Sequence, residues 1–289
     1  MNNFEQRIAE VRNDREHGSR WLVRETISIL RDIATQPGVS ADERLRQLRR
    51  AGSELAHARP AMAALAGAAG RILSTPNGIE GMAQEANRLL KEYDTATEHI
   101  TKFARPLLAG TLMTDSISGT VLDVLVVCLP QIERVIVLEG RPRYEGRDMA
   151  KALSQHGAAV TLITDAQADI FLPQCQAVVV GADSVLANGD VLNKAGTALL
   201  AWAAQGHKIP FYVLCETLKI SPRVWTGDLS QLEEKEASEV LDSPIPGVTV
   251  RNFYFDRTPA SLVTMVITEQ GLLSKEKIGE IASSLVGVV

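Results

Sequence analysis

The sequence predicts an α/β protein, with an N-terminal helical domain over residues 1–110 and a C-terminal Rossmann-like parallel-sheet domain over residues 111–289. Three observations carry this reading. Residues 1 to about 105 show apolar positions only at helical spacing. From about residue 111, short β-branched runs alternate with helical patterns. Those runs are apolar throughout rather than at every second position, as strands covered on both faces require.

In the first part, "SRWLVRETISILRDIA" sets Trp21, Leu22, Thr26, Ile29, Leu30 and Ile33 near one helical face, and Pro37-Gly38 stops the helix. "SADERLRQLRRAGSELAHA" opens on Ser40 with Glu43 three residues later, a capping-box pattern. The alanine-rich run 61–69 and the stretch from Ile79 to Ala104 complete a helical bundle. In the second part "RVIVLEG", "AVTLITD", "AVVVGAD", "IPFYVLCE" and "LVTMVIT" read as strands. "GRDMAKALSQHG", "NKAGTALLAWAAQG" and "SKEKIGEIASSLVG" read as the helices between and after them.

Composition narrows the function. Hydrophobic residues make up 45%, charged residues 22%, and the net charge is −5, so no basic surface calls for direct nucleic-acid binding. The charged opening "MNNFEQRIAEVRNDREHG" carries no secretory signal, and no window approaches 18 apolar residues, so no membrane span is expected. Cys128, Cys175 and Cys215 share no metal-ligand spacing and read as reduced core residues of a cytoplasmic protein without a metal site. Neither GxxxxGK[ST] nor a post-strand GxGxxG occurs, so no nucleotide cofactor is expected.

Polar residues gather just after the predicted strands: Glu139, Arg141, Asp165, Asp183 and Glu216. Parallel sheets bind ligands beyond their strand carboxyl ends. Singly, each residue reads equally well as a helix cap or loop acid; together they outline a site between the two domains. In "VVVGADSVLANGDVLNKAGT", Gly181 permits a tight turn, Asp183 follows, and Asn188-Gly189-Asp190 turns the chain again. Asn193-Lys194 then reads as a helix start, where free N–H groups, the helix dipole and the lysine suit a phosphate. Arg59-Pro60 and Arg141-Pro142-Arg143 would hold guanidinium groups on stiff backbone, or the prolines simply start helices. The aromatics Phe253, Tyr254 and Phe255 in "TVRNFYFDRTP" are expected at a homodimer interface of the α/β domain, or in the protein's own core.

"GADSVLANGDVLNKAGT" resembles the signature of a superfamily with three branches. They are the alpha, beta and delta regulatory subunits of translation initiation factor 2B, methylthioribose-1-phosphate isomerase, and archaeal ribose-1,5-bisphosphate isomerase. "DREHGSRWLVRETISILRDIA", "ARPAMAAL", "LEGRPRYEGR" and "NFYFDRTPASLVTMVITEQG" are similar to further family segments in the same order, so the resemblance covers nearly the whole chain. It implies conversion of an aldose 1-phosphate to a ketose 1-phosphate by an acid–base pair of cysteine and aspartate, the aspartate matching Asp183. It implies phosphate ligands at Arg59, Asn193 and Lys194.

Departures are equally legible. The cysteine segment matches Thr114 to Gly119, with Ser116 at the cysteine and Asp115 at the preceding histidine. The Arg-Gly-Ala phosphate loop becomes His17-Gly18-Ser19, and a glutamine becomes Glu145. The resemblance thus implies binding of a sugar phosphate or nucleotide phosphate at Gly18, Ser19, Arg59, Arg141, Asn193 and Lys194, with turnover through Asp183 and Ser116 or Asp115. Its alternative is a non-catalytic regulatory or assembly subunit. A homo-oligomer, dimer or larger, is implied for either.

Overall fold

The structure is a computed structural model that describes residues 3–15 and 17–285. Five helices come first: α1 Asn3–Asn13, α2 Ser19–Ala34, α3 Ala41–Ala56, α4 Ala63–Leu73 and α5 Gly78–Ala104. The periodic residues expected on α2 are buried, Leu22, Thr26, Ile29, Leu30 and Ile33 among them. α3 begins at the expected cap, where Ser40 Oγ accepts from Glu43 N at 3.3 Å. Only half of the capping box forms, because the Glu43 carboxylate bonds Arg46 and Gln47 instead. α1 escaped the sequence reading because it buries only Ile8 and Val11.

The expected alternation follows: β1 Gly110–Asp115, α6 Gly119–Cys128, β2 Ile132–Leu138, α7 Glu145–Gln155, β3 Val160–Ile163, α8 Ala168–Phe171 and β4 Ala177–Val180. Beyond β4 the chain makes β5 Ser184–Leu186 and β6 Val191–Lys194, then α9 Thr197–His207 and β7 Phe211–Leu214. β8 Ile220–Ser221, β9 Phe255–Thr258, β10 Met265–Thr268, β11 Gly271–Leu273 and α10 Lys275–Ser284 complete it. The last residues of the expected closing helix, 286–287, lie outside the described residues.

The large sheet has strand order β11-β10-β7-β4-β1-β2-β3, parallel except for β10–β11. Alternate residues feed two cores. Met113, Ile136, Val178 and Val180 face α9 and α10, while Leu112, Val135, Val137 and Val179 face α5 and α6. Full burial on both sides is why these strands read as unbroken apolar runs.

One expectation fails here, and of the two readings of the aromatic segment the core reading holds. A second sheet, β8-β5-β6-β9, stands where the sequence predicted a helix start at Asn193. Val191–Lys194 is a fully buried strand, antiparallel to β5 and β9, and the helix begins only at Thr197, after the left-handed Gly196. The aromatic segment also turns inward. Tyr254 and Phe255 are buried, and Phe253 packs partly buried beside them in the helical core, where Leu186 and Leu192 of the small sheet join them.

One close approach fixes how α7 leaves β2. A Cβ on Gly146 would lie 1.8 Å from the Leu138 carbonyl oxygen. Gly146→Ala should therefore lower unfolding stability by roughly 2 kcal/mol despite alanine's higher helix propensity. Denaturant melts that show a gain would mean that the α7–β2 junction is looser than described.

Candidate functional site

Strand order creates the crevice. From β1 the sheet grows one way through β2 and β3 and the other way through β4 and β7. Loops leaving the carboxyl ends of β1 and β4 therefore diverge, the switch point at which such sheets bind ligands. A cavity of about 1020 Å³ opens there, closed on its far side by the α1–α2 corner, Arg59 and the end of β6. Among the described residues its lining holds nine Arg and Lys side chains against five Asp and Glu, in a chain of net charge −5. That asymmetry focuses a positive potential into the cleft and suits an anionic ligand.

The two strand-end loops touch. A Cβ on Gly181 would lie 2.8 Å from Ser118 Oγ, so only glycine lets the loop carrying Asp183 pack on the loop carrying Ser116. Asp183 lines the cavity, and among the described residues its carboxylate has no hydrogen-bond partner. Burial raises its pKa above the ordinary carboxylate range; Lys219 opposes this, Glu233 adds to it, and Arg59 and Lys194 oppose it again. Ser116 lines the same wall at φ +53°, in the left-handed region that serine seldom occupies.

The expected phosphate ligands divide. Arg59 reaches the cavity with its Nε 3.3 Å from Glu233 Oε2 and donates from Nη1 to the Asp14 carbonyl at 3.1 Å. Lys194 Nζ lies 2.6 Å from Glu145 Oε1 and 4.5 Å from the Tyr254 ring centroid. Gly18 and Ser19 line the cavity at the start of α2, where Gly18 offers no side-chain cap and leaves the first amides open. Asn193 lines it too, donating from Nδ2 to Thr197 Oγ1 at 2.9 Å.

Arg141 does not join them. Its guanidinium donates to the Tyr144 hydroxyl at 2.8 Å and to the Val240 carbonyl at 3.3 Å, and Arg143 reaches the cavity instead. Nor is the α9 N-terminus open to an anion. The Gly196 and Ala198 amides donate to the Asp256 carboxylate, at 2.7 Å and 3.1 Å, so a residue of β9 fills the place expected for phosphate.

Lys219 is the residue that sequence reasoning missed. Its Nζ donates to the Ala182 carbonyl at 2.6 Å and to Ser19 Oγ at 3.1 Å, and lies 3.7 Å from Glu216 Oε2. Glu216 in turn accepts from Thr120 Oγ1 at 2.6 Å. Both ions are only 4% exposed, so removing one strands the other without solvent. Lys219→Met should cost about 3–5 kcal/mol, and Glu216→Gln added to it should restore much of that loss. Additive losses in the double variant would show that the two ions are not coupled.

No helix among the described residues is long and apolar enough to cross a membrane. No group of three or more His, Cys, Asp and Glu side chains among them could hold a metal ion.

Comparison with known proteins agrees with this fold. The chain is 34% identical over 249 residues to a ribose 1,5-bisphosphate isomerase of Archaeoglobus fulgidus, covering 82% of this chain and 80% of that protein. It is 35% identical over 261 residues to a methylthioribose-1-phosphate isomerase of Pelotomaculum thermopropionicum, covering 80% of this chain and 71% of that one. The crystal structure of a Pyrococcus horikoshii translation initiation factor eIF-2B superposes with a TM-score of 0.81 at 30% identity, over 94% of this chain and 97% of that one. The sequence pattern of the Initiation factor 2 subunit family matches residues 15–275, and the chain belongs to that family.

Proposed function

We propose that the protein is a sugar-phosphate isomerase that interconverts an aldose 1-phosphate and a ketose phosphate, as the names of its ribose 1,5-bisphosphate and methylthioribose-1-phosphate relatives indicate for those proteins. One observation carries the reading: Asp183 is an unpartnered carboxylate of raised pKa inside a cavity otherwise rich in cations. Isomerisation moves one hydrogen from C2 to C1 and another from O2 to the ring oxygen. A carboxyl group whose pKa is raised above the ordinary carboxylate range can accept and return such a proton. Arg59, Lys194, Asn193 and the open amides at Gly18 and Ser19 hold the phosphate; this assigns Arg59, Gly18 and Ser19 to the helical domain, residues 1–110, and Asp183 to the α/β domain, residues 111–289. Ser116 stands at the cysteine position of the isomerases and is a weaker proton donor than a thiol.

A homo-oligomer belongs to the same reading. α9 is apolar on both faces, with Leu199 and Trp202 exposed, and a second copy would cover that face. Light scattering should report a dimer or larger for the native chain and a smaller species for Trp202→Glu; a native monomer at micromolar concentration would refute it.

Turnover of ribose 1,5-bisphosphate and methylthioribose 1-phosphate, followed by ketose formation, tests the function. Asp183→Asn should lower the rate at least about 100-fold while leaving phosphate affinity within roughly threefold. Lys194→Ala should weaken binding about tenfold, the worth of a charge-assisted contact. Ser116→Cys should raise the rate. Saturable phosphate binding with no turnover in the native chain or in Ser116→Cys would favour the competing reading, a non-catalytic regulatory or assembly subunit, to which the absence of a thiol at 116 points.

A further inference from the structure

The surroundings of Thr197 specify a proton that no sequence motif records. Thr197 is fully buried at the start of α9. Its Oγ1 lies 2.8 Å from Asp115 Oδ2, 2.7 Å from the Lys194 carbonyl oxygen and 2.9 Å from Asn193 Nδ2. A hydroxyl has one proton to donate and two lone pairs to accept with. Asn193 takes one lone pair.

If Asp115 is ionised, the single Thr197 proton must serve two acceptors, and one oxygen pair is left at hydrogen-bond distance with no hydrogen between. If Asp115 is protonated, every contact is satisfied. Asp115 donates to Thr197, Asn193 donates to Thr197, and Thr197 donates to the Lys194 carbonyl. The other Asp115 oxygen points the same way. Among the described residues Oδ1 is buried with no hydrogen-bond partner, which a neutral carbonyl tolerates far better than half of a carboxylate.

We propose that Asp115 is held as a neutral carboxylic acid, a positioning residue that fixes Asn193 and Lys194 through the Thr197 hydroxyl and leaves the end of β1 uncharged for an incoming phosphate. Ionisation would break the Thr197–Lys194 bond and put a buried negative charge beside the anion. The charged groups around Asp115 agree. The Thr197 hydroxyl favours ionisation wherever it donates to Asp115, Asp256 of β9 and Asp165 after β3 disfavour it, and Lys194 of β6 favours it with its charge already engaged by Glu145. Burial is the largest influence, and the group's pKa is raised to about 7.

The sign of the linkage is fixed. A carboxyl whose folded pKa lies above its unfolded value weakens the fold progressively as pH rises from the unfolded pKa to the folded one. Asp115→Asn supplies an amide N–H to Thr197 in place of the acid proton and cannot ionise. Its Tm relative to the native chain should therefore rise between pH 5 and pH 8, by roughly 5 °C. Asp183 is present in both chains and drops out of that difference, while Asp256 enters it only through its coupling to Asp115. A Tm lowered equally at both pH values would overturn the proposal.

Infrared spectroscopy of the native chain is a second readout that needs no stable Asp115 variant. It should show a protonated-carboxyl stretch that titrates near pH 7 and shifts in Thr197→Val. A native band unaffected by Thr197→Val would also overturn the proposal.

The consequence for binding rests on the phosphate reading above and is measured separately, by calorimetry with inorganic phosphate. The ratio of native to Asp115→Asn Kd should be near one at pH 6 and about ten at pH 8. A ratio independent of pH would contradict the coupling to Asn193 and Lys194. Failure of both chains to bind phosphate at either pH would count against the phosphate site, while the Tm and infrared results still decide the proton.

Discussion

The Lys219 ammonium ties the site together. Its three partners come from three places in the chain: Ser19 at the start of α2, Ala182 at the exit of β4, and Glu216 at the exit of β7. An ammonium buried this deeply is tolerable only when all its donors are used, so the backbone at Ala182 and the first turn of α2 are both held to it. Asp183 is the next residue after Ala182. The same cation that positions the turn also holds down the pKa of the carboxylate beside it, against the burial that raises it. The same junction is held by the Ala63 amide, which donates to the Asp183 carbonyl at 3.1 Å, and by Ser184 Oγ, which donates to the Ala61 carbonyl at 2.6 Å, so the start of α2 and the start of α4 are both fixed to the exit of β4.

The cavity is built from charges that are mostly spoken for. Arg59 rests on Glu233, Lys194 on Glu145 and Arg15 on Glu236. Such pairing keeps a cation-rich cleft stable when empty, and it sets a threshold for ligands. An anion must offer these cations more than their carboxylates do, which a doubly charged phosphate can and a weak monoanion cannot. Unlike Glu145, Asp14 and Asp115 of the same lining, the Asp183 carboxylate has no cation in contact and no donor among the described residues. The Ser116 hydroxyl, the Asp183 carboxylate and Asp115 all line this one cavity.

Much of this was legible in the sequence, for identifiable reasons. The strands of the large sheet are covered on both faces, so Val178-Val179-Val180 announced itself as a buried run, and its end located Asp183. Arg59 could be anticipated because a guanidinium before a proline interrupts an alanine-rich helix. The small sheet was hidden because Val191-Leu192-Asn193-Lys194 is short and buried at every position, which leaves no periodicity to distinguish strand from helix. Arg141 was misread because a rigid backbone fixes where a side chain starts and not where it ends; Tyr144, three residues on, captures it. Lys219 carried no signal at all. Its partners Ala182 and Ser19 lie 37 and 200 residues away, so its role exists only once the fold has formed.

Solvent hydrogen exchange reads directly whether this cleft moves protons on a bound sugar phosphate, even when net conversion is slow. Ribulose 1,5-bisphosphate incubated with the protein in deuterium oxide should gain deuterium at C1, seen by proton NMR or mass spectrometry, and Asp183→Asn should abolish the gain. If the ligand binds at saturating concentration and its C1 hydrogens stay unexchanged, no proton is being moved, and the cleft is a binding site without chemistry.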